Sequence, residues 1–180
     1  LDCHPPADRP LTEKRRDELY AAGLRWLTIG FYGVNEKYDA YTARDGHYAR
    51  LESSLRAVRV RYASKVEMQL NYVLLRPTTN VPALRAAWDL ATRFDMAFHL
   101  DLYSHYMPFF THGPNDELAF RPEDRAAVQQ VIDELVRLKE NHAERFPQSL
   151  PFVRSITDWL IKGADMRVPC DAYQLIWVGA

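Results

Sequence analysis

Cysteine is scarce in this sequence, basic residues are not in excess and no apolar run is long. The 180 residues contain two cysteines, Cys3 and Cys170, near opposite ends, which is too few to indicate a disulfide framework. With a formal net charge of -1, the chain has no basic surplus for a phosphate backbone, so nucleic acid is not expected as a partner. The apolar runs are shorter than a membrane span, and the residues after Leu1 lack the pattern of a signal peptide. We therefore predict a cytoplasmic location and no membrane partner.

The composition that is present is typical of a globular domain. Hydrophobic residues make up 47% and charged residues 26% of the chain, which excludes a disordered chain. The first residue is Leu1, and a strand-like pattern at Tyr173 to Val178 lies two residues from the end. We therefore expect the chain to be an internal piece of a longer protein.

Helical and strand patterns alternate through the first hundred residues. Strands are predicted at Arg25 to Phe31, Val66 to Leu75 and Met96 to Tyr103. Thr12 is a predicted cap for a helix that ends before Gly23, and Asn80 is a predicted cap for the helix before the third strand. The apolar spacing between the first two strands indicates a long helix. Alternation of this kind predicts right-handed βαβ units and a parallel sheet, hence an α/β fold.

After Pro108 the pattern becomes helical. Pro122 is predicted in the first turn of a helix whose apolar face carries Val128, Val131, Ile132, Leu135 and Leu138. A second helix is predicted at about Leu150 to Ile161, ending at Gly163.

The predicted strands have two chemically different faces. One parity is apolar: Leu27, Ile29, Phe31, Met68, Leu70, Tyr72, Phe98, Leu100 and Leu102. The other is mostly polar: Thr28, Gly30, Tyr32, Glu67, Gln69, Asn71, His99, Asp101 and Tyr103. The apolar parity is expected to pack on helices. The polar parity predicts either a ligand cavity inside a β/α barrel or a polar surface without chemistry. Parallel sheets are usually covered on both faces, which favours the cavity.

Four segments resemble, in order, parts of the radical S-adenosylmethionine enzymes. Arg25 to Asp39, RWLTIGFYGVNEKYD, resembles the fourth barrel strand and its acidic turn. Tyr41 to Tyr48 is similar to the segment before the following long helix, and Val66 to Asn80 resembles the fifth strand. Pro169 to Gly179 resembles the opening of a SPASM-type C-terminal domain, where a cysteine helps to hold an auxiliary iron–sulfur cluster.

The resemblance implies a partial radical-SAM-type β/α (TIM-like) barrel over residues 1–163, about strands four to six, with parallel strands and outer helices. Residues 164–180 would begin the SPASM-type region. The family's CxxxCxxC motif, which holds the catalytic 4Fe-4S cluster, is absent and would lie upstream of Leu1. The implied cofactors are S-adenosylmethionine, that 4Fe-4S cluster and possibly an auxiliary 4Fe-4S cluster.

Five residues are candidates for cofactor binding: Gly30, Tyr32, Gln69, Asn71 and Arg44. Gly30 replaces the serine that contacts ribose in many members, so it either lets the cofactor approach the backbone or is a packing glycine. Tyr32 either contacts a ligand or is an amphipathic rim residue. Gln69 and Asn71 either bond a ligand or form a structural network. Arg44 lies near, but offset from, the arginine that meets the cofactor's carboxylate in some members.

The third strand supplies the remaining cavity candidates. His99, Asp101 and His105 are predicted to line the substrate cavity, and Asp101 with Tyr103 are the weak catalytic candidates. The i, i+2 spacing of His99 and Asp101 also fits two metal ligands on one strand face. Under the resemblance Cys170 is an auxiliary-cluster ligand; otherwise it is a small buried residue. Cys3 receives no role.

The function implied is that of a radical S-adenosylmethionine enzyme, which cleaves the cofactor reductively to an adenosyl radical that abstracts hydrogen from a small-molecule or peptide substrate. The isolated chain is expected to be inactive. Two alternatives stay open: a non-catalytic barrel fragment that serves as a binding or scaffold module, and a metal-assisted hydrolase that uses His99 and Asp101.

Overall fold

The computed structural model describes residues 12–102 and 117–162, which form an α/β structure around a three-stranded parallel sheet. The strands are β1 (Trp26–Phe31), β2 (Glu67–Leu74) and β3 (Ala97–Leu102), and they lie side by side in chain order. Both strand pairs are parallel, which confirms the predicted order and direction. The strands begin one residue later than the sequence predicted.

Helices connect the strands and follow the sheet. They are α1 (Glu13–Ala21), α2 (Glu36–Thr42), α3 (His47–Tyr62), α4 (Val81–Arg93), α5 (Arg125–Asn141) and α6 (Leu150–Lys162). None of the described helices is long and apolar enough to cross a membrane.

Two predicted helix caps are confirmed by hydrogen bonds. The Thr12 hydroxyl accepts from the backbone N–H of Arg15 at 3.3 Å, and the Asn80 side chain accepts from the backbone N–H of Ala83 at 2.9 Å. Each side chain satisfies an N–H group that has no partner in the first turn of its helix. Asn80 therefore has a structural role as the N-cap of α4.

Two local predictions were wrong. Only one long helix was predicted between the first two strands, but a further helix of seven residues, α2, precedes it. Pro122 was expected in the first turn of α5, but it opens a separate 3₁₀ turn, Pro122–Asp124, and α5 begins at Arg125. The fixed φ of proline suits either kind of turn, so the proline alone did not distinguish them.

The core lies on the apolar side of the sheet. Met68, Leu70, Tyr72 and Leu74 of β2 are buried, whereas the residues that alternate with them are exposed or half-buried. The buried residues of α3, α4, α5 and α6 belong to the same hydrophobic cluster as these strand residues. Phe98 lies at its centre, with its ring 5.3 Å from that of Trp88 on α4 and 5.7 Å from that of Phe146. The predicted division into an apolar and a polar parity is confirmed.

The outer edge of β3 is closed by the segment before α6. The Phe98 N–H donates to the Arg145 carbonyl at 2.8 Å, and the Arg145 guanidinium donates to the Met96 carbonyl at 3.0 Å. The side-chain amide of Gln148 exchanges two hydrogen bonds with the backbone of Leu100, at 3.0 and 2.7 Å. In the described residues β1 has a strand neighbour on one side only. Within the described residues, the outer edge of β3 is therefore occupied at Phe98 and Leu100, whereas the outer edge of β1 has no strand neighbour.

Candidate functional site

The polar parity of the three strands forms one continuous surface, which we call the polar face: Thr28, Gly30, Gln69, Asn71, His99 and Asp101. The strand register sorts these residues into rows across the sheet. Thr28 pairs with Gln69, the next row is Gly30, Asn71 and His99, and Asp101 pairs with Val73. Neighbouring strands lie about 4.8 Å apart, so the row from Gly30 to His99 brings three candidate residues within reach of one small ligand.

Gln69 and Asn71 are linked to each other along β2. The Gln69 Nε2 donates to Asn71 Oδ1 at 2.7 Å, and both side chains are half-buried. This bond orients the Asn71 amide with its oxygen towards Gln69, so its NH₂ group is available on the other side as a donor. The hydrogen bond between Gln69 and Asn71 is thus structural, and it also leaves the Asn71 NH₂ group free to donate to a ligand next to His99.

His99 is held by a residue that is distant in sequence. Gln148 Nε2 lies 3.2 Å from His99 Nε2, while the other ring nitrogen, Nδ1, is buried without a hydrogen-bond partner among the described residues. Burial lowers the pKa of His99, and the carboxylate of Asp101 opposes that shift in part. The imidazole is therefore kept neutral at physiological pH.

Asp101 is the exposed carboxylate at the end of β3. Its charge acts on His99 and also contributes to raising the pKa of Tyr32, which places all three groups around the same end of the polar face. The active sites of β/α barrels lie at the carboxyl ends of the strands, and Asp101 lies at that end.

The Tyr32 ring occupies the space that a side chain at position 30 would fill. A Cβ atom at Gly30 would lie 2.9 Å from Tyr32 Oη, so the absence of a side chain at Gly30 makes room for the Tyr32 ring above the strand. That ring stacks on Tyr41 of α2, with centroids 4.0 Å apart and planes 11° apart. Burial, followed by the neighbouring Tyr41, raises the pKa of Tyr32 to about 12. The aromatic pair therefore links α2 to the residue that follows β1.

Arg44 lies on the turn between α2 and α3. Its backbone N–H donates to the Asp39 carbonyl at 3.0 Å. The Asp39 carboxylate in turn accepts from the backbone N–H groups of Tyr48 and Gly46, each at 2.7 Å, and the bond from Tyr48 is the main reason that its pKa is lowered. The Tyr38–Asp39 pair that resembles the family motif therefore has a local task, because Asp39 supplies acceptors to the N-terminus of α3.

Several candidates lie outside the described residues: Tyr103, His105, Cys170 and the 164–180 region that resembles a SPASM opening. Within residues 12–102 and 117–162, no three side chains of His, Cys, Asp or Glu come together as a metal site. His99 and Asp101 therefore have no third ligand of these types among the described residues.

A small apolar cavity of about 30 Å³ lies away from the polar face. It lies between α1, α3 and the apolar side of the sheet, where Leu27, Val58 and Tyr62 are among its walls. Its lining is almost wholly apolar, so it lacks the polar partners that a bound water needs. It is a packing defect next to α1 and has no part in the candidate site.

Two contacts of the site were missed by sequence reasoning. Gln148 lies 49 residues from His99 in the chain, and its segment carries no motif. Tyr41 was read only as part of the segment that resembles the family, yet its exposed ring stacks on Tyr32.

Comparison with known proteins gave no match: no family model, no curated protein and no solved structure is similar to this chain. The functional argument therefore depends on the sequence motifs and on the geometry of the polar face.

Proposed function

We propose that this chain is part of the barrel of a radical S-adenosylmethionine enzyme, and that its polar face binds the cofactor and a small-molecule or peptide substrate. The observation that carries the proposal is the row of Gly30, Asn71 and His99 across three parallel strands, with Asp101 two residues nearer the carboxyl end of β3. Gly30 and Asn71 lie within segments that resemble the family, and His99 lies in the neighbouring strand β3. When bound, the cofactor would supply an adenosyl radical for hydrogen abstraction from the substrate.

The charge on the polar face favours such a ligand. Its described residues carry one carboxylate, Asp101, and no cationic side chain, and Glu67 adds a second carboxylate at the opposite end of β2. A surface with this charge disfavours anionic ligands. S-adenosylmethionine carries a positively charged sulfonium group, and the Asn71 NH₂ group supplies a donor for its oxygen and nitrogen acceptors.

The sheet edges support a partial barrel. Arg145 and Gln148 occupy the hydrogen-bonding edge of β3, whereas β1 has no strand on its other side among the described residues. If further strands complete the barrel, they add at β1, which agrees with the resemblance of β1 to a fourth strand.

The chain does not itself contain the ligands for the catalytic cluster. A 4Fe-4S cluster of this type needs three thiolates at one site, and this sequence has two cysteines, Cys3 and Cys170. Under the proposal a CxxxCxxC segment precedes Leu1 in the complete protein, and the 180-residue chain alone does not cleave S-adenosylmethionine.

The test is anaerobic reconstitution of the full-length protein with iron and sulfide, followed by measurement of 5′-deoxyadenosine under a reductant. The full-length protein is expected to release 5′-deoxyadenosine, and the 180-residue chain is expected to match a cluster-free control.

Asn71→Ala is expected to raise the KM for S-adenosylmethionine. Gln129→Ala, which removes a comparable amide from an exposed position on α5, serves as the matched control and should leave the KM unchanged. A full-length protein without the three upstream cysteines, or without cofactor cleavage, would refute the proposal.

The SPASM part of the proposal depends on Cys170 and has a separate test. Cys170→Ala in the full-length protein is expected to lower the iron content by part of one cluster and to change the absorbance of the auxiliary centre, because the thiolate would be one of its ligands. Unchanged iron and absorbance would remove the SPASM assignment and leave the barrel proposal in place.

A further inference from the structure

The side-chain amide of Gln148 has only one possible orientation. Its oxygen accepts from the Leu100 N–H at 3.0 Å, and its nitrogen donates to the Leu100 carbonyl at 2.7 Å. Exchanging the oxygen and the nitrogen would place two donors together and two acceptors together. The amide therefore pairs with the edge of β3 as a neighbouring backbone peptide would.

This orientation determines the protonation of His99. One proton of Gln148 Nε2 is used by the Leu100 carbonyl, and the other is directed at His99 Nε2, 3.2 Å away. An NH₂ group has no lone pair to offer a ring N–H, so His99 Nε2 must be the acceptor. In a neutral imidazole the proton then resides on Nδ1.

The Nδ1–H group so defined is a donor without an acceptor in the described residues. Nδ1 is buried, and leaving a buried donor unpaired costs about 1–3 kcal/mol. Asn71 lies beside His99 in the same row, but its side-chain oxygen accepts from Gln69 and makes no hydrogen bond with Nδ1. A bound molecule can supply the missing acceptor if its binding displaces the side chains that cover Nδ1.

We propose that Gln148 is a positioning residue that holds His99 in its Nδ1–H form, and that this N–H binds a neutral carbonyl oxygen of the substrate, such as a peptide carbonyl. A neutral acceptor fits better than a carboxylate, because Asp101 already places a negative charge on this face and the described residues of the polar face offer no compensating cation. This inference rests on the proposed function in one respect: it takes the polar face as the surface that binds the ligand.

The tautomer is tested by long-range proton–nitrogen NMR correlations on the protein with isotope-labelled histidine. The chain has six histidines, and the His99 signals are those lost in His99→Gln. His99 is expected as the Nδ1–H tautomer in the wild type. Gln148→Leu should shift it towards the Nε2–H tautomer, whereas Gln129→Leu should have no effect. Finding Nε2–H or a charged imidazolium in the wild type at neutral pH would overturn the positioning role.

The acceptor is tested with two small probes, N-methylacetamide for a peptide carbonyl and acetate for a carboxylate. N-methylacetamide is expected to shift the His99 Nδ1 resonance in a saturable manner, and acetate at equal concentration is not. An equal response to acetate, or no response to either probe, overturns the assignment of the ligand. Because neither S-adenosylmethionine nor a cluster is present, failure here is distinct from failure of the radical enzyme proposal.

A variant series separates the role of the donor from a role in packing. The side-chain nitrogen of asparagine can occupy nearly the position of His Nδ1, so His99→Asn should retain the response to N-methylacetamide, read from the Leu100 amide signal. His99→Phe keeps the ring but removes the donor and should abolish the response. Equal responses in the two variants would show that the Nδ1 donor is not what binds the probe.

Discussion

Replacing Phe98 with leucine tests which side of the sheet is the core, and hence which side is left for a ligand. Phe98 is fully buried on β3. Its ring contacts three others, those of Tyr72, Trp88 and Phe146, at centroid distances of 5.9, 5.3 and 5.7 Å. Leucine keeps the apolar character but loses all three aromatic contacts.

The expected loss follows from those contacts. An aromatic pair contributes about 0.5–1.5 kcal/mol beyond its area burial, so the three pairs together are worth at least about 1.5 kcal/mol. Full truncation of a buried phenylalanine costs about 3–5 kcal/mol, so the smaller change Phe98→Leu should cost less than about 5 kcal/mol. For a chain of this size, a loss of 1.5 kcal/mol corresponds to a fall in Tm of roughly 3–6 °C.

Urea unfolding followed by circular dichroism measures the change. The matched control is Phe152→Leu, because Phe152 lies on α6 with 38% of its surface exposed and should lose no more than about 0.5 kcal/mol. Equal losses in the two variants would mean that Phe98 does not face the core. The parity of β3, and with it the placement of His99 and Asp101, would then be wrong.

Three further predictions concern the ends of the elements around the site. Asn80→Ala should destabilise the protein by about 1 kcal/mol through loss of the α4 cap, whereas Asn80→Asp should retain most of the stability in the same urea assay. Gly30→Ala should displace the Tyr32 ring. Because burial is the main cause that raises the pKa of Tyr32 to about 12, an absorbance titration of the variant should show one more tyrosine that ionises near its ordinary pKa. An unchanged titration would contradict the contact between Gly30 and Tyr32. The pKa of Asp39 is lowered in the folded state from 3.8, so its contribution is complete above that pH and is lost as the pH falls through the folded pKa. Wild type and Asp39→Asn should therefore differ in unfolding free energy at neutral pH and converge in acid, and a constant difference would contradict the capping role.

The sequence by itself determined the α/β class, the order and direction of the strands and the parity of their faces. The reason is that these features depend on local patterns: alternation along each strand selects the buried side, and a helix between two strands requires a parallel crossover. The caps at Thr12 and Asn80 were predictable for the same reason, because each bonds an N–H three residues away. The resemblance to radical S-adenosylmethionine enzymes is likewise a property of short consecutive segments.

Tertiary structure decided the features that no local pattern encodes. A seven-residue helix such as α2 is marginal alone, and the packing of Tyr38 into the core, which buries it, holds it in place. The stack of Tyr41 on Tyr32 depends on where α2 lies relative to β1. The tautomer of His99 depends on Gln148, 49 residues along the chain, because only the folded edge of β3 brings an amide to that nitrogen. The polar residues were therefore visible in the sequence, whereas the group that orients His99 was not.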